Sequence, residues 1–428
     1  MLPQTLYHLP KLYKNQYSHP DTLKKLQEKK LRHIITFAYK NSKLYKEKFK
    51  KAQITPLDIT TLNDITKIPL TTKNDIKSVF PDGVVPPGFS EKNCIAMTTS
   101  GTSGNVFTVL IDSEGRNYSA AVTVRDHLAH GLRPWHKFLT LQHDPAQLKK
   151  QSKNLFYQKK DISGILPQET LVEKAVAYNP DFMGGHPSAY VAMAKVVEEK
   201  GIKGITPIKI FIGGEIALPS FRAYIEKVFN CKTLNKYGAY ETHSIAWECN
   251  HYNMHMNADS ILVEFVKDGE PVSAGERGEI VITNFWNKAL PFIRYRIGDV
   301  GIPSDETCSC GRTFPLIKDL EGRTDDLIVL PSGNVVPPTR LIPSFFMTPY
   351  IEAFKVIQDK RTHIHIQIVP RREISEPEEK EFLEEIQTIL GEPVDIDIEK
   401  VDHIKKVGRG KFKAVTSKIP LDLASSKG

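Results

Sequence analysis

Between Thr98 and Gly104 the chain reads TTSGTSG, and two residues later it turns abruptly apolar as FTVLI. Gly101 and Gly104 free backbone N–H groups, and Thr98, Thr99, Ser100, Thr102 and Ser103 add hydroxyls, so the segment can form a concavity for a phosphate. It does not match GxxxxGK[ST], which excludes a Walker-type loop; Asn105, not lysine, follows the second glycine. A flexible turn ahead of a strand has the same letters, and the segment alone does not choose between the two.

Four further segments add groups suited to a nucleotide. In KYGAYET (236–242) a carboxylate, Glu241, follows the aromatic–glycine turn of Tyr237 and Gly238. In RYRIGDVG (294–301) Asp299 follows a strand, where an acid can hold the hydroxyl pair of a ribose. GRTDDLIVLPSGNVVPP (322–338) carries Arg323 and Asp325, and GRGKFKAV (408–415) sets Lys411 in a glycine-rich turn. Each is common alone, since acids cap strand ends and a lysine beside glycine is usually solvated. Their order and spacing together are hard to obtain by chance.

The five cysteines pose a separate question. An odd, sparse count without an export signal argues against a disulfide framework. Cys249 and His255, six residues apart, and the Cys308-x-Cys310 pair offer four donors able to close a tetrahedral Zn²⁺ site. His251 is a rival for His255, and ordinary buried thiols with surface imidazoles are the plain alternative. Four protein ligands leave no open position, so such a zinc is structural. His186 in GGHPSAY and His243 after the Glu241 motif are candidates to touch substrate, whereas His127, His130, His136 and His143 fit no constellation. GTSG is not the nucleophile-elbow pattern GxSxG.

These groups need elements to hold them. Apolar spacing predicts an amphipathic helix with a basic face over 20–50 and a Thr/Asn-capped helix within 70–81. Helices are expected over 114–130, 167–178, 187–200 and 218–229. Strands are expected over 106–111, 181–183, 208–212 and 232–236, with Gly184, Gly185, Gly213 and Gly214 at the joints, the mark of a largely parallel α/β sheet. After 255 the texture turns to β, and beyond 325 a hairpin, an alternating HIHIQIVP, an acidic helix and PVDIDIEKVD suggest a small α+β domain.

The chain has 428 residues, enough for two or three domains, with 40% hydrophobic and 25% charged residues as in an ordinary globular protein. Its formal charge of +8 is spread over dispersed lysines, with no basic helix, zinc-finger spacing or aromatic–basic RNA signature. That favours small polyanions such as ATP or coenzyme A over nucleic acid. No run of about 18 apolar residues and no apolar signal-peptide core appears, which predicts a cytoplasmic chain without a membrane span.

With these motifs in order, the chain resembles the acyl-adenylate-forming (AMP-binding) superfamily, and within it the phenylacetate–CoA ligase family. LRHIITFAYKNSKLYKEKFKKAQITPLDITTLNDITKIPLTTKNDI is similar to that family's N-terminal segment, and YNPDFMGGHPSAYVAMAK and IFIGGEIALPSFRAYIEKVFNCKTLNKYGAYE to its central segments. The resemblance covers nearly the whole length. It implies a large N-terminal α/β domain with a β-rich subdomain plus a small mobile α+β C-terminal domain. Residues 1–92 would be a helical segment of the large domain, 93–324 the AMP-binding core with the zinc-carrying subdomain, and 325–428 the mobile domain.

The resemblance also implies ATP-dependent, AMP-forming activation of a carboxylic acid, aryl or arylacetic by the family's default, and transfer to coenzyme A. ATP, Mg²⁺, coenzyme A and structural Zn²⁺ are then the expected cofactors. Thr99, Ser100, Gly101, Thr102, Ser103 and Gly104 would hold the β- and γ-phosphates, Glu241 the Mg²⁺, and Asp299 and Arg323 the ribose side. Gly213, Gly214, Glu215, Tyr237 and Gly238 would line the adenine and acyl sides, with His186 and Tyr237 in the acyl pocket. Asp325 would be the hinge and Lys411 the catalytic lysine that the hinge delivers, beside Glu241. Members often carry the zinc set of Cys249, His255, Cys308 and Cys310. The chain departs from the family at Asn105–Val106, where the family usually has lysine and often proline. Two other readings remain: adenylation with transfer to a carrier-protein thiol or to an amine or hydroxyl of a surface polymer, and a zinc-stabilised nucleotide-binding protein without catalysis. The expected partners are the acid, ATP and coenzyme A, neither nucleic acid nor membrane, with a homodimer left open.

Overall fold

Residues 2–99, 107–142, 156–404 and 414–421 are described in the computed structural model. Its centre is a sheet of twelve strands. One half is parallel, in the spatial order Gln158–Ser163, Lys137–Gln142, Phe182–Gly185, Lys209–Gly213 and Lys232–Ala239. The run KIFIG shows why such strands form: Ile210 and Ile212 point to one face and Phe211 to the other, all buried, as a sheet covered on both sides requires. Helices Gln168–Tyr178, Pro187–Glu199 and Pro219–Phe229 pack Leu171, Val172, Phe221 and Ile225 against the Ile210 face. Helix Ser113–Ala129 covers the other face through His127, which meets the rings of Phe138 and Phe211.

The expected helices 114–130, 167–178, 187–200 and 218–229 thus appear within a residue or so, and their ends have local causes. The Asp112 carboxylate accepts from the Gly115 N–H at 2.8 Å, while proline opens the second helix pair at its first turn. Asn179 and Asn230, both at φ 48°, end two of them in the left-handed conformation. The amphipathic stretch 20–50 divides at Ser42, which is extended between helices Pro20–Asn41 and Lys43–Lys51. Helix Leu2–Asn15, unforeseen in the sequence, packs Leu12 on Ala121 and Val122.

The other half of the sheet is antiparallel, from His243–Glu248 through Met254–Met256, Leu316–Arg323, Tyr295–Ser304, Gly278–Asn284 and Ile261–Lys267 to Glu270–Pro271. Strands Ile95–Thr99 and Phe107–Ile111 form a separate hairpin beside it. The C-terminal part has its own four-stranded sheet, ordered Asp395–Lys400, His363–Pro370, Ile351–Lys360 and Val415–Ser417. Its HIHIQIV alternation sends Ile364, Ile366 and Ile368 into a core with Phe345, Phe354 and Phe382. Helix Glu376–Leu390 begins in a Ser375–Glu378 capping box and ends at Gly391, φ 75°. Among the described residues no helix is long and apolar enough to cross a membrane.

Candidate active site

The site is built on strand ends. Strand Lys209–Gly213 runs into Gly214 (φ 78°), where a Cβ would come 2.6 Å from His186 Cε1; one on Gly213 would come 2.4 Å from the Lys236 carbonyl oxygen. His186 Nδ1 donates to the Gly213 carbonyl at 3.0 Å and lies 4.0 Å from Glu215 Oε1, so it clamps the turn. Gly238 is glycine for a similar reason, since a Cβ there would come 2.0 Å from the His243 carbonyl oxygen as the hairpin folds back.

That hairpin presents Glu241, which is buried. The Tyr295 hydroxyl donates to its Oε1 at 3.3 Å and Asn284 Nδ2 to its carbonyl at 3.2 Å. Burial pushes the Glu241 carboxyl above the usual carboxylate range; Asp299 adds to the rise and Lys73 opposes it. Asp299 stands opposite Arg323 in the register of the two adjoining strands. The Tyr237 hydroxyl donates to its Oδ2 at 2.7 Å, and Arg323 Nη1 lies 3.5 Å from its Oδ1. Burial raises the Asp299 carboxyl and Arg323 draws it back. Arg323 Nε also reaches Asp325 Oδ1 at 3.4 Å, so one guanidinium joins the strand acid to the acid at the domain junction.

Gly214, Glu215, Tyr237, Gly238, Glu241, Asp299, Arg323, Asp325 and His186 line a single cavity of about 1920 Å³. Pro338, Phe346, Ala414 and Val415 of the C-terminal part close its far wall. Ser100, Gly101, Thr102, Ser103, Gly104, Asn105, His143 and Lys411 lie outside the described residues, as does the side chain of Thr99. Thr98, just before the loop, and Ala414, three residues after Lys411, both line the cavity.

A second cluster sits where Met254–Met256 meets Leu316–Arg323. The donor atoms of Cys249, His255, Cys308 and Cys310 all lie within 4.8 Å of one another. Cys249 Sγ is 3.6 Å from Cys308 Sγ, too far for a disulfide, and Cys310 Sγ is 3.3 Å from His255 Nε2. His255 Nδ1 donates to the Phe314 carbonyl at 3.3 Å, which leaves the Nε2 lone pair toward the sulfurs. The N–H groups of His251 and Cys310 point at Cys249 Sγ (3.4 Å) and Cys308 Sγ (3.5 Å). The His251 ring turns away, to Ser309 Oγ at 3.5 Å, so the geometry favours its rival His255. This donor set fits one tetrahedral cation.

Known proteins supply the comparison. Residues 328–418 match the CapK C-terminal domain family model. Over 384 residues the chain is 26% identical to the phenylacetate-coenzyme A ligase of Thermus thermophilus, covering 86% of this chain and 84% of that one. Over most of its length the chain is similar to proteins named phenylacetate-coenzyme A ligase. Its fold is that of a 2-hydroxyisobutyryl-CoA ligase solved in the postadenylation state with R3-HIB-AMP: TM-score 0.80, 17% identity, 96% of this chain and 93% of that one. The o-succinylbenzoate coenzyme A synthetase of Bacillus subtilis, solved with ATP and magnesium, gives TM-score 0.58 at 17% identity over 74% of this chain and 68% of that one.

The cavity also holds residues to which the sequence motifs gave no role. Lys73 lines it and shares an electrostatic field with Glu241. Arg116, Asp126, His127 and Lys236 line the side under helix Ser113–Ala129. Tyr295 orients Glu241. Arg116, Asp126 and His127 belong to no short pattern, whereas Lys236 and Tyr295 lie inside KYGAYET and RYRIGDVG, where only Tyr237, Gly238, Glu241 and Asp299 were given roles.

Proposed function

We propose that the protein is an AMP-forming carboxylic acid–CoA ligase. The acid's carboxylate attacks the α-phosphorus of ATP, pyrophosphate leaves, and the acyl-adenylate forms. The thiol of coenzyme A then attacks the acyl carbon, AMP leaves, and a thioester forms. The observation that carries this reading is the Tyr237–Asp299–Arg323–Asp325 chain of contacts, with Glu241 in the same cavity and the C-terminal part as one wall. The relatives' names and the acyl-adenylate in a structural neighbour support it.

In this reading Asp299 accepts from the ribose hydroxyls, with Arg323 beside it. Glu241, in a cavity that also binds the triphosphate, would hold Mg²⁺, which supplies charge neutralisation where two anions must meet. The loop Thr99–Gly104 cradles phosphates. Lys411 arrives on the C-terminal domain for adenylation and withdraws by rotation about Asp325, which opens the acyl face to the thiol. Cys249, His255, Cys308 and Cys310 would hold a structural Zn²⁺.

Acid-dependent exchange of labelled pyrophosphate into ATP, over a panel of aryl, fatty and amino acids, tests the first half-reaction. Exchange with at least one acid is expected. In Lys411→Ala exchange falls by about 10²-fold or more, the scale of a lost charge-stabilising group, while thioester formation from added acyl-adenylate persists. Exchange with no acid overturns the reading, and exchange without thioester when coenzyme A is supplied moves the acceptor elsewhere.

A further inference from the structure

Strand Lys232–Ala239 turns Tyr237 toward Asp299 and its neighbour Lys236 to the opposite face. There the Lys236 ammonium stands 4.3 Å over the Phe211 ring, at the wall of the cavity. Among the described residues it has no hydrogen-bond acceptor and no carboxylate oxygen within 4.0 Å. The nearest acid, Asp126, is already engaged: its Oδ2 accepts from Ser244 Oγ at 2.9 Å and its Oδ1 faces Arg125 Nε at 3.3 Å. An aromatic face answers part of the cost of enclosing an ammonium, but it satisfies none of its three N–H donors well.

The surroundings point the same way. Ser119, Thr123 and Asp126 of helix Ser113–Ala129 line this part of the cavity at spacings of four and three, a polar stripe along one helix face. Gly184, also in the lining, lets the Phe138 ring and Thr140 pack closely, since a Cβ there would come 3.0 Å from the Phe138 ring. Behind the wall, Lys30 donates to the Asp259 carbonyl, Arg125 binds the Asp259 carboxylate, and Asp126 lies between Arg125 and Lys236. Lys30 and Arg125 thus both engage Asp259, and Asp126 stands between Arg125 and Lys236, so that acid is shared by two cations. A lobe that took an unsubstituted phenyl ring would be apolar here.

Resting on the adenylation reading, we infer that this lobe is the acyl pocket. It takes a carboxylic acid with a second hydrogen-bond-accepting group, foremost a second carboxylate, at the end remote from the reacting one, and Lys236 receives that group. The substrate class therefore departs from the arylacetic acid that the resemblance implies.

Pyrophosphate exchange by the full chain tests this with two matched pairs, phenylacetate with 4-carboxyphenylacetate and valerate with glutarate. In at least one pair the dicarboxylate is expected to have a kcat/KM about tenfold or more above its partner, as for a site built around a polar group. In Lys236→Met that preference reverses. Both acids of a pair are measured on one preparation, so the ratio does not depend on how much of the variant folds. Equal or better use of the monocarboxylate in both pairs, or an unchanged ratio in Lys236→Met, overturns the inference. Exchange with other acids of the wider panel but with neither dicarboxylate overturns the substrate class alone; exchange with no acid at all overturns the adenylation reading and the substrate class with it.

Discussion

Glu241 and Lys73 feel each other's charge across the cavity, and that pairing bears on the lysine missing at Asn105. Lys73 begins helix Lys73–Val79, its ammonium stands 5.7 Å from the Phe107 ring at the start of the strand after the loop, and burial lowers its pKa. A cation in that position can neutralise the phosphates that a loop lysine otherwise meets. Lys73→Met is expected to raise the KM for ATP in pyrophosphate exchange about tenfold, roughly 1.4 kcal/mol of binding, while the KM for the acid, measured on the same preparation, stays as it was. An unchanged KM for ATP would leave the missing charge to another group. Glu241, Asp299 and Arg323 were legible because each sits in a short motif that dictates its turn or strand. Lys73 and Lys236 were not, because a lysine's role depends on which wall its long stem reaches, and only the tertiary packing of Phe107 or Phe211 decides that.

Elements were legible where a repeating pattern met a cap: the helices after Asp112 and Pro187 and the HIHIQIV strand needed no tertiary context. Strands Lys137–Gln142 and Gln158–Ser163 were missed because they lack such signals; the second, QKKDIS, is an edge strand whose only buried residue is Ile162. Ser42 was missed as a break because the basic face continues through it; its hydroxyl and the Leu44 N–H both bond to the Gly83 carbonyl, at 3.2 and 2.9 Å. The Cys–His cluster is the element-scale feature with a direct test. It ties the turn after strand His243–Glu248 to the segment 308–310, which together have little core beyond Trp247 and Leu316. Metal analysis of the purified protein is expected to find one Zn²⁺ per chain, absent in Cys308→Ser. Its removal by chelation is expected to lower the melting temperature by roughly 3–6 °C, the size expected when a cation-held turn comes loose. A metal-free protein with an unshifted melting curve in Cys308→Ser would leave the cluster as plain packed thiols.

For the whole molecule, the sequence marked a change of texture near 325 but not how the C-terminal part sits, because seating depends on two surfaces from distant parts of the chain. Helix Pro338–Met347 shows two adjacent aromatics with opposite tasks. Phe345 stacks on Phe354 at 4.2 Å inside the small sheet's core, while Phe346 meets Phe221 of helix Pro219–Phe229 edge-on at 4.3 Å. Ser417 also donates its N–H to the Asp325 carbonyl at 2.9 Å, fastening the last strand to the junction. If two half-reactions need two seatings, the Phe221–Phe346 contact belongs to one of them and biases the equilibrium between them. An aromatic pair of this kind contributes about 1 kcal/mol beyond its buried area, enough to shift a two-state population roughly fivefold. Phe346 is 39% exposed and outside the buried cluster of Phe345, Phe354 and Phe382, although it also meets the Phe354 ring edge-on at 5.7 Å, so the melting curve of Phe346→Ala is measured beside its rates. The expected outcome is a several-fold change in the ratio of thioester formation to pyrophosphate exchange, both measured on one preparation with a normal melting curve. Were both rates to change by the same factor, the contact would be a general support of the fold and not a bias between seatings.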